Sequence, residues 1–242
     1  MKDVQIVRVT TRAQKKAFVQ FPLKLYKNHP CFVPPLYSDE MAQFKKKHAY
    51  SDTCETVFFL AMQEKKVVGR MQGILQRQSN DLRGEKRVRF TRFDAVNDAK
   101  VAAALFAAVE NWAREQGMDS VCGPLGYSDL EREGLLIEGF DQLSTFEEQY
   151  NYDYYPALLE ACGYQKEIDW LEHRLRAPKE PNPMLGRVAE WQSARWSFPS
   201  CTWWIAPKCP SASTLTRIRT AFSIAWTNAT RICLVPCHSP RT

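Results

Sequence analysis

The spacing of apolar residues changes along the chain between period two and period three to four, and each change marks an element. "VQIVRV" (4–9) alternates and predicts a short strand. Thr10 or Thr11 can cap a following helix whose Phe18, Phe21 and Leu25 share one face, with Pro22 set to kink it. After the proline-rich "NHPCFVPPLYSDE", a second helix is expected over 39–47. It would start on Ser38 with Asp39 and Glu40 in its first turn and Lys45, Lys46 and Lys47 in its last, the charge order that suits a helix dipole. "TVFFLAMQ" and "VVGRMQGILQ" flank the turn Glu64–Lys65–Lys66 and read as a hairpin.

A third strand follows at 87–96, and within it the apolar parity switches: Val88 and Phe90 lie on one phase, Phe93 and Ala95 on the other. One extra residue near Thr91–Arg92 explains the switch, as a β-bulge or as a solvent-facing irregularity. From 98 to 116 the period returns to a helix, with Val101, Leu105, Ala108 and Trp112 on one stripe, alanines elsewhere and Gly117 as the stop. "DSVCGPL" reads as a buried strand, then comes a charged, glycine-containing loop. A short helix opens at Pro156 and closes before Gly163, and "IDWLEHRL" (168–175) supplies a last strand. The order β-α-α-β-β-β-α-β-α-β predicts an α/β fold, a mixed sheet with helices on both faces.

Composition refines this picture at the C-terminal end. The net charge of +6 arises entirely after Glu190, the last acidic residue: residues 1–190 hold 27 basic and 27 acidic side chains. A neutral body has no electrostatic footprint for nucleic acid, so that class is excluded. Residues 191–242 also hold five of the seven tryptophans and no acidic residue. With acidic residues at about 11% of ordinary sequence, such a run would arise by chance well under one time in a hundred. The stretch is expected to be out-of-frame or otherwise foreign sequence without a stable fold, a genuine basic and aromatic tail being the alternative. The division expected is 1–180 as one domain and 181–242 as linker and tail, with self-association through the apolar surface left over.

Eight cysteines are scattered without CxxC spacing, and Cys233–Cys237 with His238 lacks a second pair, so free thiols and no metal are expected. The longest apolar run, Val101 to Val109, is far shorter than a membrane span, and the N-terminus has no signal-peptide core, which leads to a cytoplasmic expectation with no membrane partner.

At Val67–Val68–Gly69–Arg70 and at the Gly163–Tyr164 that follows the short helix, the chain resembles a GNAT-type (Gcn5-related) N-acyltransferase domain over 1–177. More narrowly, "GPLGYSDLEREGLLIEGFD", "YNYDYYPALLEACGY" and "DWLEHRL" resemble a bacterial GNAT-like family of roughly double this domain's length, of which this would be the first half. The resemblance implies a mostly antiparallel central sheet and acetyl-CoA or another acyl-CoA as cofactor. It also implies a small-molecule amine or amino-acid-like acceptor.

In such domains backbone N–H groups of the bulged strand, here at Phe93 and Ala95, and of the turn that follows, here at Asn97 and Lys100, face the acyl-CoA. The family's pattern Arg/Gln-x-x-Gly-x-Gly/Ala falls on "VNDAKVA", which departs from it at every glycine. Asn97 is expected to be the N-cap, taking one of the donors a phosphate needs, and Asp98 sets a negative charge beside it, offset in part by Lys100. The family's general-acid tyrosine falls on Leu159; Tyr154 and Tyr155 lie a turn earlier, expected to pack with their hydroxyls at the surface, Tyr155 being the candidate acid. The remaining candidates leave the end of a central strand: Tyr127, Ser128 and Asp129, with Glu131 and Glu133 beyond, where a carboxylate could hold or deprotonate an amine. Two functions therefore stand open, an acyl-CoA-dependent N-acyltransferase with impaired catalysis, and a non-catalytic GNAT-like module that supports a second domain.

Overall fold

The computed structural model describes residues 3–145, 148–171, 183–184, 187 and 230–236. Contacts divide the chain into two units, Met1–Glu172 with Thr227–Thr242, and His173–Trp226; of the second unit only Pro183, Met184 and Arg187 are described, all helical.

The first unit opens with β1 (Gln5–Arg8) and α1 (Arg12–Leu25). Thr11 caps α1 in a reciprocal capping box, its hydroxyl accepting from Gln14 N while Gln14 Oε1 accepts from Thr11 N at 2.9 Å. Pro22 sits inside the helix. It cannot donate to the carbonyl four residues back, so the Phe18 oxygen is left free within the core.

The next helix is shorter and earlier than its charge pattern predicted. It is α2 (Tyr37–Ala42), with Leu36 as N-cap, so Lys45–Lys47 fall beyond its end and Glu40 is buried. The hairpin is as expected: β2 (Glu55–Gln63) and β3 (Lys66–Leu75) join through Glu64 and Lys65, both at positive φ (48° and 65°), the backbone that matches strand twist in a two-residue loop. A helical segment that no periodicity announced, α3 (Arg77–Arg83), leads to β4 (Arg87–Ala95). Then follow α4 (Ala99–Glu115), β5 (Ser120–Cys122), β6 (Leu135–Leu136), α5 (Tyr155–Ala161) and β7 (Tyr164–Leu171). β7 begins four residues before the predicted 168; of that prediction, residues 172–175 lie outside the described residues.

A five-stranded sheet runs β1-β2-β3-β4-β5, antiparallel through the first four strands and parallel only between β4 and β5. This is the mixed, mostly antiparallel sheet expected. In β2 the two faces separate by parity: Val57, Phe59 and Ala61 join the core under α4, while Phe58 and Leu60 join Phe18 and Val19 of α1. Helices thus cover both faces. Against α4 the sheet presents Gly69 and Gly73, and a Cβ on Gly73 would stand 2.9 Å from both Trp112 Cζ3 and Val57 Cγ1. The helix packs as closely as it does because those side chains are missing.

Of the stretch 191–242, residues 230–236 form β8 (Thr230–Pro236), which pairs antiparallel with β7 and β6 in a second sheet. The rest of that stretch lies outside the described residues. Among the described residues no helix is long and apolar enough to cross a membrane.

Candidate functional site

The parity switch in β4 is a bulge, and it determines which side chains meet. The register with β3 shifts between Arg70 and Gln72, and Arg92 takes a φ of +50°. Val88 and Phe90 before the bulge, and Phe93 and Ala95 after it, all face the α4 core, so Thr91 and Arg92 turn consecutively to the α1 side. There they line a cavity of about 370 Å³, open to solvent, between α2, the 48–50 turn and the loop after β5.

The cavity floor is an ion network of largely buried side chains. Arg70 donates from Nε to Asp94 Oδ2 at 2.7 Å and from Nη1 to the Phe18 carbonyl at 3.1 Å. That is the oxygen released by Pro22. Glu40, from α2, accepts from Arg92 Nε at 3.1 and 3.2 Å and lies 3.5 Å from Arg70 Nη1. Burial would push the Glu40 carboxyl up, but the Arg92 and Arg70 guanidiniums outweigh it and hold it at about 2, below its ordinary 4.5. Arg92 Nη1 donates to Gln72 Oε1 at 3.0 Å, which turns the Gln72 amide nitrogen to Tyr127 Oη at 2.8 Å. Tyr127, buried and stacked 4.8 Å from the Tyr50 ring, has its hydroxyl pushed up to about 12, chiefly by burial and against the pull of Arg92.

Asp94 extends the network behind the cavity. Its Oδ1 accepts from the Tyr26 hydroxyl at 2.9 Å, and Tyr26 lies 2.9 Å from the Tyr155 hydroxyl. Burial raises both phenols well above their ordinary value. Tyr155 in turn accepts the Ala95 N–H at 3.0 Å, while Tyr154 donates to the Ala95 carbonyl at 2.8 Å. The Tyr155 hydroxyl is therefore inside the fold rather than at the surface as expected, and Tyr154, half-buried, also turns its hydroxyl to Ala95.

Among the relatives found by sequence, the chain is 33% identical over 156 residues to Protein YghO of Escherichia coli (strain K12), covering 64% of this chain and 40% of that protein. It is 29% identical over 174 residues to the bacterial ceramide synthase of Caulobacter vibrioides (strain NA1000 / CB15N), covering 71% and 45%. The chain thus spans less than half the length of these curated relatives. No family model matches the sequence. Among solved structures, a tandem GNAT protein from the clavulanic acid biosynthesis pathway superposes with a TM-score of 0.50 at 11% identity, covering 70% of this chain and 46% of that one. The domain has the GNAT fold.

Within this GNAT-fold domain the candidate residues divide into two places. Tyr127 lines the cavity, and Ser128 stands beside it, its hydroxyl 3.1 Å from Tyr50 Oη; Asp129 is exposed on the loop and does not line it. Tyr155, Phe93 and Ala95 meet in the core, with the Phe93 and Tyr155 rings 5.4 Å apart. Asn97 and Lys100 are exposed at the start of α4. The N-cap there is Asp98, one residue later than expected: its Oδ1 accepts from Lys100 N at 2.9 Å, and its Oδ2 lies 3.4 Å from Gln63 Nε2. The turn thus closes on its own carboxylate, and both polar groups of Ala95 are engaged by tyrosines. As arranged, these residues do not fit an acyl-CoA pyrophosphate or a pantetheine chain along β4.

Glu40, Arg70, Thr91 and Arg92 were absent from the sequence-derived candidates. For Arg70, Thr91 and Arg92 the one local signal is polar residues at strand positions where a covered sheet face calls for apolar ones, as in "GRMQG" and "FTRFD"; Glu40, on α2, has none.

Proposed function

We propose that this chain is one GNAT half of a longer N-acyltransferase, and that it contributes the ligand cavity beside the β4 bulge without seating acyl-CoA at the start of α4. The names and lengths of the relatives support the first part: one is a ceramide synthase, a maker of an N-acylated product, and each is more than twice as long as the stretch matched. A single arrangement supports the second. The Asp98 carboxylate takes the Lys100 N–H at the helix N-terminus, where a phosphate would need donors and no fixed negative charge.

Loss of two or three charge-assisted N–H contacts, each worth roughly 1.5–3 kcal/mol, weakens binding by several powers of ten. Calorimetry of the full chain with acetyl-CoA tests this directly. Wild type is expected to give no heat at micromolar concentrations, and Asp98→Gly to gain measurable affinity. Micromolar binding by the wild type would refute the reading.

A further inference from the structure

In the cavity beside the bulge the carboxylates are engaged, while three donors are open. Glu40 is held between Arg70 and Arg92. Glu131 accepts the Tyr127 N–H at 3.3 Å and faces Arg92 at 3.8 Å, and Asp39, exposed at the rim, accepts the Ser38 hydroxyl at 3.0 Å. The donors differ. Because Arg92 fixes the Gln72 amide, Tyr127 Oη must accept from Gln72, and its own proton meets no acceptor among the described residues. His48 Nδ1 accepts the Tyr50 N–H at 3.3 Å, so the proton of the neutral ring sits on Nε2, which is likewise unmet. Thr91, only 3% exposed, brings a third donor, its hydroxyl, to the cavity without a hydrogen-bond partner among the described residues.

Positive charge lies on the same wall. Arg132 is held down at about 10 by burial, with Arg92 and Arg70 repelling it and Glu40 drawing the other way. An incoming negative group would relieve that repulsion. The rim is of the opposite character: Leu36 and Leu130 line the mouth at 62% and 85% exposure, an apolar edge that nothing among the described residues covers.

We propose that this cavity binds an amphipathic anion, with a carboxylate or phosphate-ester head against Tyr127, His48 and Thr91 and an alkyl body laid across Leu36 and Leu130. The site is separate from the α4 turn, and a ligand of this kind needs no nucleotide, so the proposal stands whether or not acyl-CoA binds.

The test uses four probes, acetate, octanoate, inorganic phosphate and octyl phosphate, titrated into the full chain at constant ionic strength. The His48 ring signals are followed by NMR and assigned with His48→Gln. Saturable shifts are expected from octanoate or octyl phosphate, at least about 10-fold tighter than from the matching short anion, and the tighter of the two identifies the head group. Tyr127→Phe and Thr91→Val should each weaken binding about 3- to 10-fold, and Leu130→Ser should remove the chain-length preference. The proposal is overturned if octanoate and octyl phosphate give no saturable shift up to about 10 mM, if octanol binds as tightly as the anions, or if both conservative variants bind like wild type.

Discussion

Replacing Glu40 by glutamine should remove the carboxylate that Arg70 and Arg92 share at the cavity floor. Glu40 is 8% exposed, and its folded-state pKa of about 2 lies below the ordinary 4.5 because two guanidiniums outweigh burial. That gap corresponds to about 3 kcal/mol. Since the folded-state value is the lower one, this stability is fully present above pH 4.5 and is lost as the pH falls towards 2. The substitution also leaves Arg70 and Arg92 facing each other without their shared carboxylate, a change that costs about 3–5 kcal/mol when a buried pair is broken.

Urea unfolding of the full chain at pH 7 and pH 3 measures both effects. With a slope of about 2–3 kcal/mol/M, the Glu40→Gln midpoint at pH 7 should fall by about 1 M or more, and the difference from wild type should shrink at pH 3. A fall of less than about 0.3 M at pH 7, or a difference that does not change with pH, would refute the reasoning, because a buried carboxylate held by two guanidiniums must show both.

Three further outcomes are expected. Gly73→Ala should lower the melting temperature by an amount corresponding to about 1–3 kcal/mol, since its Cβ would press on Trp112 and Val57 at 2.9 Å; an unchanged melting temperature would mean that α4 can shift outward. Tyr155→Phe leaves the buried Ala95 N–H without the hydroxyl that accepts it, costing about 1–3 kcal/mol and speeding hydrogen exchange at Ala95, and unaltered protection there would remove Tyr155 from that role. Asn151→Ala deletes the amide that accepts from Leu136 N at 2.8 Å and donates to Leu136 O at 3.0 Å. The 135–136 segment should then exchange faster while β2 and β3 do not, and equal protection throughout would count against the role.

Local pattern carried much of the fold. The hairpin and the long helix follow from period and punctuation, and the bulge follows from the change of parity between Phe90 and Phe93, which only an extra residue can reconcile with one buried face. What failed had long-range causes. Glu40 looked like a helix-dipole residue because its partners, Arg70 and Arg92, lie 30 and 52 residues away and leave no trace beside it. Asn97 and Asp98 are both good caps, and only the backbone decides between them. Segment 77–83, "RQSNDLR", has a single apolar residue and therefore no period to read. At the site, Tyr127 was legible because it follows the end of a strand, although that strand, β5, lies at the edge of the five-stranded sheet and not at its centre as expected. The burial of Tyr155 depends on Ala95, sixty residues earlier.

The two closures near the end of β4, the Asp98 cap and the tyrosine hydroxyls on Ala95, bear on the paths by which such a domain can change. Introducing glycine at Asp98 gives up a helix cap, at about 1 kcal/mol, and still leaves Ala95 occupied. Removing the Tyr155 hydroxyl strands a buried N–H and still leaves the carboxylate at the helix start. Each step alone lowers stability and frees only one of the two contacts, so a fully open groove requires both. The two closures therefore act as independent locks on one strand end, each with its own stability cost of release.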